Sequence, residues 1–247
     1  MKHERIMGIP VDYITYDSVM NDVEEFMTSG LGKMIIASVN PQIMVEAKKY
    51  PEAITFIEKS THRIPDGIGI VIASKLTGGK ITERVTGFDL MIKLLEYGDK
   101  NKQSAFFYGA KPEVLKDALK NIKLQYPGLV IAGGIDGYTS LSEEEVVERI
   151  NVTKPDFLFV AMGFPRQELW LNRNIPRLDV KVFQDVGGSF DVLSGNVKRA
   201  PQVFLDYHLE WLYRSLSDPK RIGRIFQLPV FLVKSLWWKL FEANNHL

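Results

Sequence analysis

The chain has 247 residues, of which 45% are hydrophobic and 25% are charged, a composition that suits one large α/β domain or a domain with an appendage. The absence of cysteine excludes disulfides, thiolate metal sites and a cysteine nucleophile, and it is typical of a reducing compartment. No apolar stretch follows the first residues, and the longest apolar run, residues 228–233, is too short to cross a bilayer. We therefore expect a cytosolic protein.

The net charge of +1 is unevenly distributed along the chain. Residues 198–247 contain eight Lys or Arg and four acids, so this tail carries +4 and the preceding residues carry −3. A basic tail on a mildly acidic body predicts an anionic partner at one end, either a membrane surface or a nucleic acid.

From about residue 33, short apolar runs alternate with amphipathic ones. Runs rich in β-branched and aromatic residues predict strands at residues 34–38, 105–108, 130–133, 157–162 and 182–186. Amphipathic patterns predict helices at residues 42–50, 67–76, 88–97, 112–125, 142–151 and 166–172. Pro112 at a first helical position, and Ser142 with Glu145 as a capping box, mark two helix starts. This alternation predicts an α/β fold with a Rossmann-like parallel sheet and flanking helices.

The pattern changes after Gly195. Pro201 begins a helix that extends to about residue 215, and a second helical stretch extends to about residue 241. We predict a Rossmann-like catalytic body of residues 1–195 and a basic, aromatic helical appendage of residues 196–247.

The second helix of the appendage carries apolar residues on both faces. Most of them form one stripe, but Phe231 and Trp238 fall on the opposite side among Lys and Arg. Such a mixture is typical of a helix at an anionic lipid interface. We therefore predict that the appendage docks on a membrane.

Ligands of open parallel sheets bind beyond the carboxyl ends of the strands, and each predicted strand here ends in small or polar residues. Small residues before a helix leave backbone N–H groups that suit phosphate oxygens. A single glycine there is more often a plain turn residue, but five such ends in one sheet favour a nucleotide-sized ligand. The candidate binding residues at these ends are Asn40, Gly109, Tyr138, Gly163, Gly188 and Asp191.

Stronger fingerprints are absent from the sequence. It has no G-x-x-x-x-G-K-[ST] loop and no G-x-G-x-x-G between a strand and a helix, which argues against P-loop NTPases and ordinary dinucleotide dehydrogenases. There is also no G-x-S-x-G elbow. The four histidines are scattered and no D-x-D pair occurs, so we expect neither a metal nor another cofactor.

Two charged residues have both a structural and a functional interpretation. Asp66 lies between Pro65 and Gly67, and from this spacing alone an Asx-turn or a helix cap is the simpler reading. Arg84 alone is equally well read as a solvated charge.

Nine segments together resemble the WecG/TagA/CpsF family of glycosyltransferases, and they occur in the family's order over roughly residues 8–224. They are SVNP (38–41), PDGIG (65–69), ERVTG (83–87), YPG (126–128), DGY (136–138), GFPRQE (163–168), GGSFD (187–191), GNVKRAP (195–201) and LEWLYR (209–214). Any one of these segments is weak evidence for the resemblance, but nine segments in the same order make it specific.

The resemblance implies an inverting, metal-independent glycosyltransferase with a Rossmann-like fold. The best-known members transfer N-acetylmannosamine (ManNAc) from UDP-ManNAc to the 4-hydroxyl of GlcNAc on undecaprenyl diphosphate, in the linkage unit of wall teichoic acid. Relatives use UDP-ManNAc uronic acid for enterobacterial common antigen, or other donors for capsules. The basic C-terminal helices here resemble the TagA branch most. The implied partners are a UDP-sugar, a lipid-linked GlcNAc and the anionic inner face of the plasma membrane.

The resemblance also implies roles for single residues. Asp66 takes the place of the catalytic base, since inverting transfer needs a group that accepts the proton of the acceptor hydroxyl. Arg84 matches a motif arginine, and arginines suit the charge of leaving UDP where no metal neutralises it. Ser38 stands where the family usually has Thr, while Asn40 and Gln167 match polar residues near donor and acceptor. Three appendage arginines match family residues near the diphosphate: Arg214, Arg221 and Arg224.

Two other classes of protein are alternatives. A nucleic-acid-binding protein would explain the basic, aromatic tail, but the acidic body and the missing recognition motif argue against a nucleic-acid partner. A nucleotide-binding module without catalysis is compatible with a Rossmann-like fold. The sequence does not decide the donor sugar, the polymer pathway, or whether the protein is a monomer or a homo-oligomer.

Overall fold

A computed structural model describes residues 2–30, 32–197, 199–207, 209, 212–213 and 227–241. Its strands are β1 (His3–Ile6), β2 (Ile9–Asp12), β3 (Met34–Val39), β4 (His62–Pro65), β5 (Ser104–Gly109), β6 (Val130–Ile135), β7 (Phe157–Ala161) and β8 (Val182–Asp185). Within these residues, β1 and β2 form an antiparallel hairpin, and the other six strands form one parallel sheet in the order β4-β3-β8-β7-β5-β6. The predicted α/β fold with a Rossmann-like parallel sheet is confirmed.

Helices connect the strands, as parallel pairing requires. They are α1 (Tyr16–Ser29), α2 (Pro41–Glu46), α3 (Pro51–Lys59), α4 (Ile68–Leu76), α5 (Gly87–Asn101), α6 (Pro112–Gln125), α7 (Glu143–Thr153), α8 (Arg166–Asn174), α9 (Ser189–Leu193), α10 (Gln202–Asp206) and α11 (Gln227–Phe241). Both predicted start signals are confirmed, because Pro112 begins α6 and Ser142 and Glu145 form a capping box on α7.

Two apolar cores cover the two faces of the sheet. Side chains alternate along each strand, so on β7 Phe157 and Phe159 enter one core whereas Leu158 and Val160 enter the other. The first core lies against α1, α5, α6 and α9, and the second against α2, α3, α4, α7, α8 and α11. Burial on both faces explains the continuous apolar runs of the central strands.

Some elements differ from those predicted. The sequence patterns did not predict β1, β2, β4, α1, α3 or α9. The helix predicted at residues 42–50 is α2 followed by a 3₁₀ turn, Ala47–Lys49. In the first helix of the predicted appendage, α10 ends at Asp206, and residues 214–226 lie outside the described part of the chain.

Helix α11 packs on the body through the side that carries Phe231 and Trp238, opposite the apolar stripe. Phe231 is fully buried and Trp238 is 8% exposed, on a face that lies against α2, α4 and β1. The close approach depends on Gly69 of α4, where a β-carbon would lie 2.6 Å from side-chain carbons of both Pro41 and Leu228. Val230, Val233, Trp237 and Leu240 of the apolar stripe are exposed, so the described part of the stripe faces outward, although such a stripe more often packs on the body.

Candidate active site

A cleft of about 680 Å³ lies across the carboxyl ends of the parallel strands, where ligands of open α/β sheets bind. Its volume is within the range of roughly 300–1,000 Å³ that is usual for ligand sites. The loops after strands β3 to β8 and the first turn of α11 form its walls. The predicted site residues that line it are Ser38, Asn40, Asp66, Arg84, Tyr138, Gly163, Gln167, Gly188 and Asp191.

The other predicted site residues lie elsewhere. Gly109 is not among the lining residues of the cleft. It has φ +127°, and a β-carbon there would lie 2.2 Å from the carbonyl oxygen of Ala161, so glycine permits β5 to pass close to β7. Arg214, Arg221 and Arg224 lie outside the residues that the structure describes.

Ser38 and Asp66 lie near the carboxyl ends of two adjacent strands. Val39 of β3 pairs with Pro65 of β4, and the Asp66 N–H donates to the Val39 carbonyl over 2.8 Å. The Ser38 hydroxyl donates to the backbone carbonyl of Asp185 over 3.2 Å. The helix that follows Asp66 has Gly67 as its N-cap and no capping bond from a side chain. Gly67 rather than Asp66 thus occupies the N-cap position of this helix, and Asp66 lines the cleft.

Arg84 brings a cation to the same end of the cleft. The loop that carries it is held by a bond of 3.1 Å from the Val85 N–H to the Pro65 carbonyl, next to Asp66. Thr86 then begins α5 by accepting the N–H of Asp89 on its side chain. Arg84 is partly exposed and lines the cleft, as a residue that contacts a ligand would.

Asn40 has a structural role as well as a place in the cleft. Its side-chain oxygen accepts the N–H of Ile43 over 3.0 Å and thereby caps α2. The capping bond satisfies one of the unpaired N–H groups at the start of that helix. A substitution of Asn40 would consequently disturb α2 in addition to any ligand.

The opposite end of the cleft holds two cations that the sequence did not single out. Arg166 donates to the Gly137 carbonyl over 3.0 Å, and its guanidinium lies 6.0 Å from the ring centroid of Tyr138. Lys111 precedes the first turn of α6 and also lines the cleft. Both residues follow the ends of predicted strands, and this position in the sequence could have identified them as candidate site residues.

The glycine turns after β7 and β8 do not present the backbone groups that were expected. The N–H groups of Gly163 and Gly187 both donate to the side-chain oxygen of Gln167, each over 3.1 Å. These two amides are thus occupied by the protein rather than open to phosphate oxygens. Gly163 and Gly187 have φ of +73° and +52°, a backbone conformation that favours glycine.

Two buried acids that the sequence did not single out lie at the floor of the cleft: Asp185 lines it, and Glu168 is bonded to the lining residue Gln167. Both are 1% exposed. Burial raises the pKa of Glu168 to about 7. Burial and then the charge of Glu168 raise the pKa of Asp185 well above its ordinary range. Buried acids with raised pKa values occur at functional sites.

Comparison with known proteins identifies the family. The model of the glycosyl transferase WecG/TagA/CpsF family matches residues 4–245. The chain belongs to this family. A WecG/TagA/CpsF member is a glycosyltransferase, so the chain is an enzyme and the alternative of a module without catalysis is set aside.

Two relatives of this WecG/TagA/CpsF chain are similar over most of their length. The Bacillus spizizenii protein is 39% identical over 211 residues, which cover 85% of this chain and 82% of the relative. A Staphylococcus aureus protein is 35% identical over 230 residues, which cover 93% of this chain and 90% of the relative. Both are named N-acetylglucosaminyldiphosphoundecaprenol N-acetyl-beta-D-mannosaminyltransferase.

Proposed function

We propose that this chain transfers ManNAc from UDP-ManNAc to the 4-hydroxyl of GlcNAc on undecaprenyl diphosphate, with inversion and without a metal, in the linkage unit of wall teichoic acid. The observation that carries the proposal is the similarity, over more than four fifths of the chain, to two relatives named as N-acetylmannosaminyltransferases of N-acetylglucosaminyldiphosphoundecaprenol. The cleft, with a carboxylate and a guanidinium at the same end, fits a transfer of this kind.

Asp66 is the base in the proposed reaction. The oxygen of the acceptor hydroxyl attacks the anomeric carbon of ManNAc from the side opposite UDP, and its proton passes to the Asp66 carboxylate. The bond between the anomeric carbon and the diphosphate oxygen breaks, and its electron pair leaves with UDP. Because attack and departure occur on opposite faces, the anomeric configuration is inverted. One carboxylate suffices for this role if it lies within hydrogen-bond reach of the hydroxyl.

Cations of the cleft stabilise the leaving diphosphate. Arg84 lines the cleft at the Asp66 end, and Lys111 and Arg166 line it on the side of β5, β6 and β7. An arginine side chain suits this role, since its planar fork donates two parallel hydrogen bonds to a phosphate. Fixed hydrogen-bond donors then stabilise the negative charge that develops in the transition state. In many enzymes this stabilisation is the largest contribution to the rate enhancement.

The transfer is tested with full-length protein, a lipid-linked GlcNAc acceptor and a panel of UDP-sugars, each with excess EDTA. We expect UDP-ManNAc to give an acceptor heavier by one N-acetylhexosamine, with the anomeric configuration opposite to that of the donor by NMR. Turnover should persist in EDTA. Product formed from another sugar but not from UDP-ManNAc would contradict the donor, and activity restored only by Mg²⁺ or Mn²⁺ would contradict metal independence.

The exposed face of α11 supports docking on the inner face of the plasma membrane. No helix in the described ranges has the length and apolar character needed to span a bilayer. Val233, Trp237 and Leu240 are 67%, 53% and 68% exposed, beside the exposed cations Lys234 and Lys239. An apolar stripe flanked by cations inserts into the headgroup region of anionic lipid. The diphosphate of the proposed acceptor lies at that surface.

Replacing Val233 and Trp237 together with glutamate should weaken binding to phosphatidylglycerol liposomes at least about tenfold, because burying one such side chain contributes roughly 1.5–3 kcal/mol. The matched control replaces Leu124 and Val152 with glutamate, since these are 72% and 78% exposed on the body. Co-sedimentation measures both. Equal losses in the two variants, or none in the first, would show that α11 does not dock on lipid.

A further inference from the structure

The side chain of Gln167 uses both ends of its amide inside the protein. Its oxygen accepts the N–H groups of Gly163 and Gly187, which follow β7 and β8. Its nitrogen donates to Glu168 over 3.0 Å and to Asp185 over 3.2 Å. Gln167 is 4% exposed, although it lines the cleft. One amide therefore ties two glycine turns of the cleft to two buried acids.

The acids extend this network to β3. One carboxyl oxygen of Asp185 accepts the Ser38 N–H over 2.8 Å, and the other accepts from Gln167. One oxygen of Glu168 accepts from Gln167, while the second is buried and has no hydrogen-bond partner in the described part of the chain. Both acids bond to the same nitrogen, so they are close neighbours. Two adjacent buried carboxylates repel each other, and keeping one proton on the pair removes that repulsion.

The charged groups that act on the pair come from two elements. Asp185 is influenced by Glu168 of α8 and by Asp66, which follows β4, and both are negative when ionised. For Glu168 the largest influence is burial, which the hydrogen bond from Gln167 partly offsets. The influences on both acids therefore favour a bound proton over two full negative charges.

We propose that Gln167, Glu168 and Asp185 are positioning residues of the transferase, a hydrogen-bonded clip with one shared proton that holds Ser38 and the glycine turns after β7 and β8 in the geometry that binds the donor. The proposal rests on the proposed function, because it concerns the same cleft. It assigns Gln167 to positioning, whereas the family resemblance implied contact with substrate.

The directions of the hydrogen bonds in the clip make Asp185→Asn and Glu168→Gln differ in their expected effect. In Asp185→Asn, the side-chain oxygen must face the Ser38 N–H, so the new NH₂ group meets the NH₂ group of Gln167. Two donors then oppose each other in a buried site. In Glu168→Gln, the new oxygen can still accept from Gln167 and the NH₂ group replaces the oxygen that has no described partner. Asp185→Asn should therefore be the more harmful change.

The first measurement is UDP binding by calorimetry and kcat/KM for the UDP-sugar. We expect Asp185→Asn to weaken UDP binding and lower kcat/KM, each at least tenfold, and Glu168→Gln to lower them less. The double variant Gln167→Glu with Asp185→Asn exchanges acid and amide, so the new NH₂ group at position 185 can donate to the new carboxylate at position 167, and Glu168 can donate to that carboxylate when protonated. The double variant should recover most of the loss. A purely structural role predicts lower melting temperatures with unchanged UDP affinity and no recovery, and that result would overturn the proposal.

The second measurement is thermal unfolding against pH, which requires no substrate. The Glu168 carboxyl has an ordinary pKa of 4.5 in the unfolded chain and about 7 in the folded protein. The folded state therefore binds this proton more tightly, and its contribution to stability is full below about pH 4.5 and is lost as the pH rises through about 7.

Glu168→Gln should remove this loss, so its melting temperature should fall less than that of the unchanged protein between pH 5 and 8. The matched control is Glu148→Gln on the exposed side of α7, which should follow the unchanged protein. If the melting temperatures of the unchanged protein, Glu168→Gln and Glu148→Gln changed in parallel with pH, the acids would not share a proton. This outcome does not depend on whether ManNAc is the sugar transferred, so failure of the clip and failure of the proposed function are distinguishable.

Discussion

Replacing Asp66 with asparagine should lower the transfer rate by about 10²–10⁴-fold, the usual contribution of a general base, while leaving UDP binding near that of the unchanged protein. The amide has nearly the shape of the carboxyl group but does not accept the proton of the acceptor hydroxyl. Asp66 lines the cleft at the end of β4, and Gly67 rather than Asp66 occupies the N-cap position of α4. We therefore expect the loss in catalysis rather than in folding.

The measurement combines kcat with lipid-linked GlcNAc, calorimetric UDP affinity and the melting temperature. Asp117→Asn, on the exposed side of α6, is the matched control and should behave like the unchanged protein in all three. If Asp66→Asn retained near-normal turnover and only melted earlier, Asp66 would be a structural residue and another group would have to be the base.

Replacing Arg84 with glutamine should lower kcat by about 10²–10³-fold, the range found when one donor to a developing negative charge is removed. The neighbouring Val85 N–H holds the Arg84 loop on Pro65, so the backbone of the loop does not depend on the guanidinium. Arg84→Lys keeps the charge but loses the planar fork, and we expect an intermediate rate.

Steady-state kinetics with UDP-ManNAc and lipid-linked GlcNAc provide the measurement for Arg84, and Arg149→Gln on the exposed side of α7 is its control. Our assignment requires kcat and kcat/KM to fall together, which marks an interaction made in the transition state. A higher KM with unchanged kcat would instead show that Arg84 only binds substrate in its ground state.

The central strands could be predicted because burial on both faces leaves continuous apolar runs in the sequence. Strand β4 could not be predicted, because two of its four residues are polar and bond to residues that are distant in the sequence. His62 is bonded to Asp22 over 3.1 Å, and Arg63 donates to the buried carboxylate of Asp12 over 2.8 Å. No local pattern shows partners that lie 40 and 51 positions away in the chain.

The candidate site was predictable in outline, since the carboxyl ends of parallel strands lie at one edge of the sheet. The resemblance alone selected Asp66, because its spacing favoured a cap. Neither approach indicated the hydrogen-bonded clip, in which Ser38 and Asp185 lie 147 positions apart in the chain. The sequence also did not show which face of α11 packs on the body. A helical wheel shows which residues share a face, but not which face contacts Gly69 of α4.

The contact between α11 and Gly69 has a consequence for synthesis of the enzyme. The ribosome makes the sheet, α2 and α4 before it makes α11, so the apolar surface around Gly69 stays uncovered during that interval. At about 5–20 residues per second, translation from β8 to the buried part of α11 takes roughly 3–10 seconds. Gln227 and Leu228 reach the cleft only then. A nascent chain thus exposes this apolar surface before its cleft is complete.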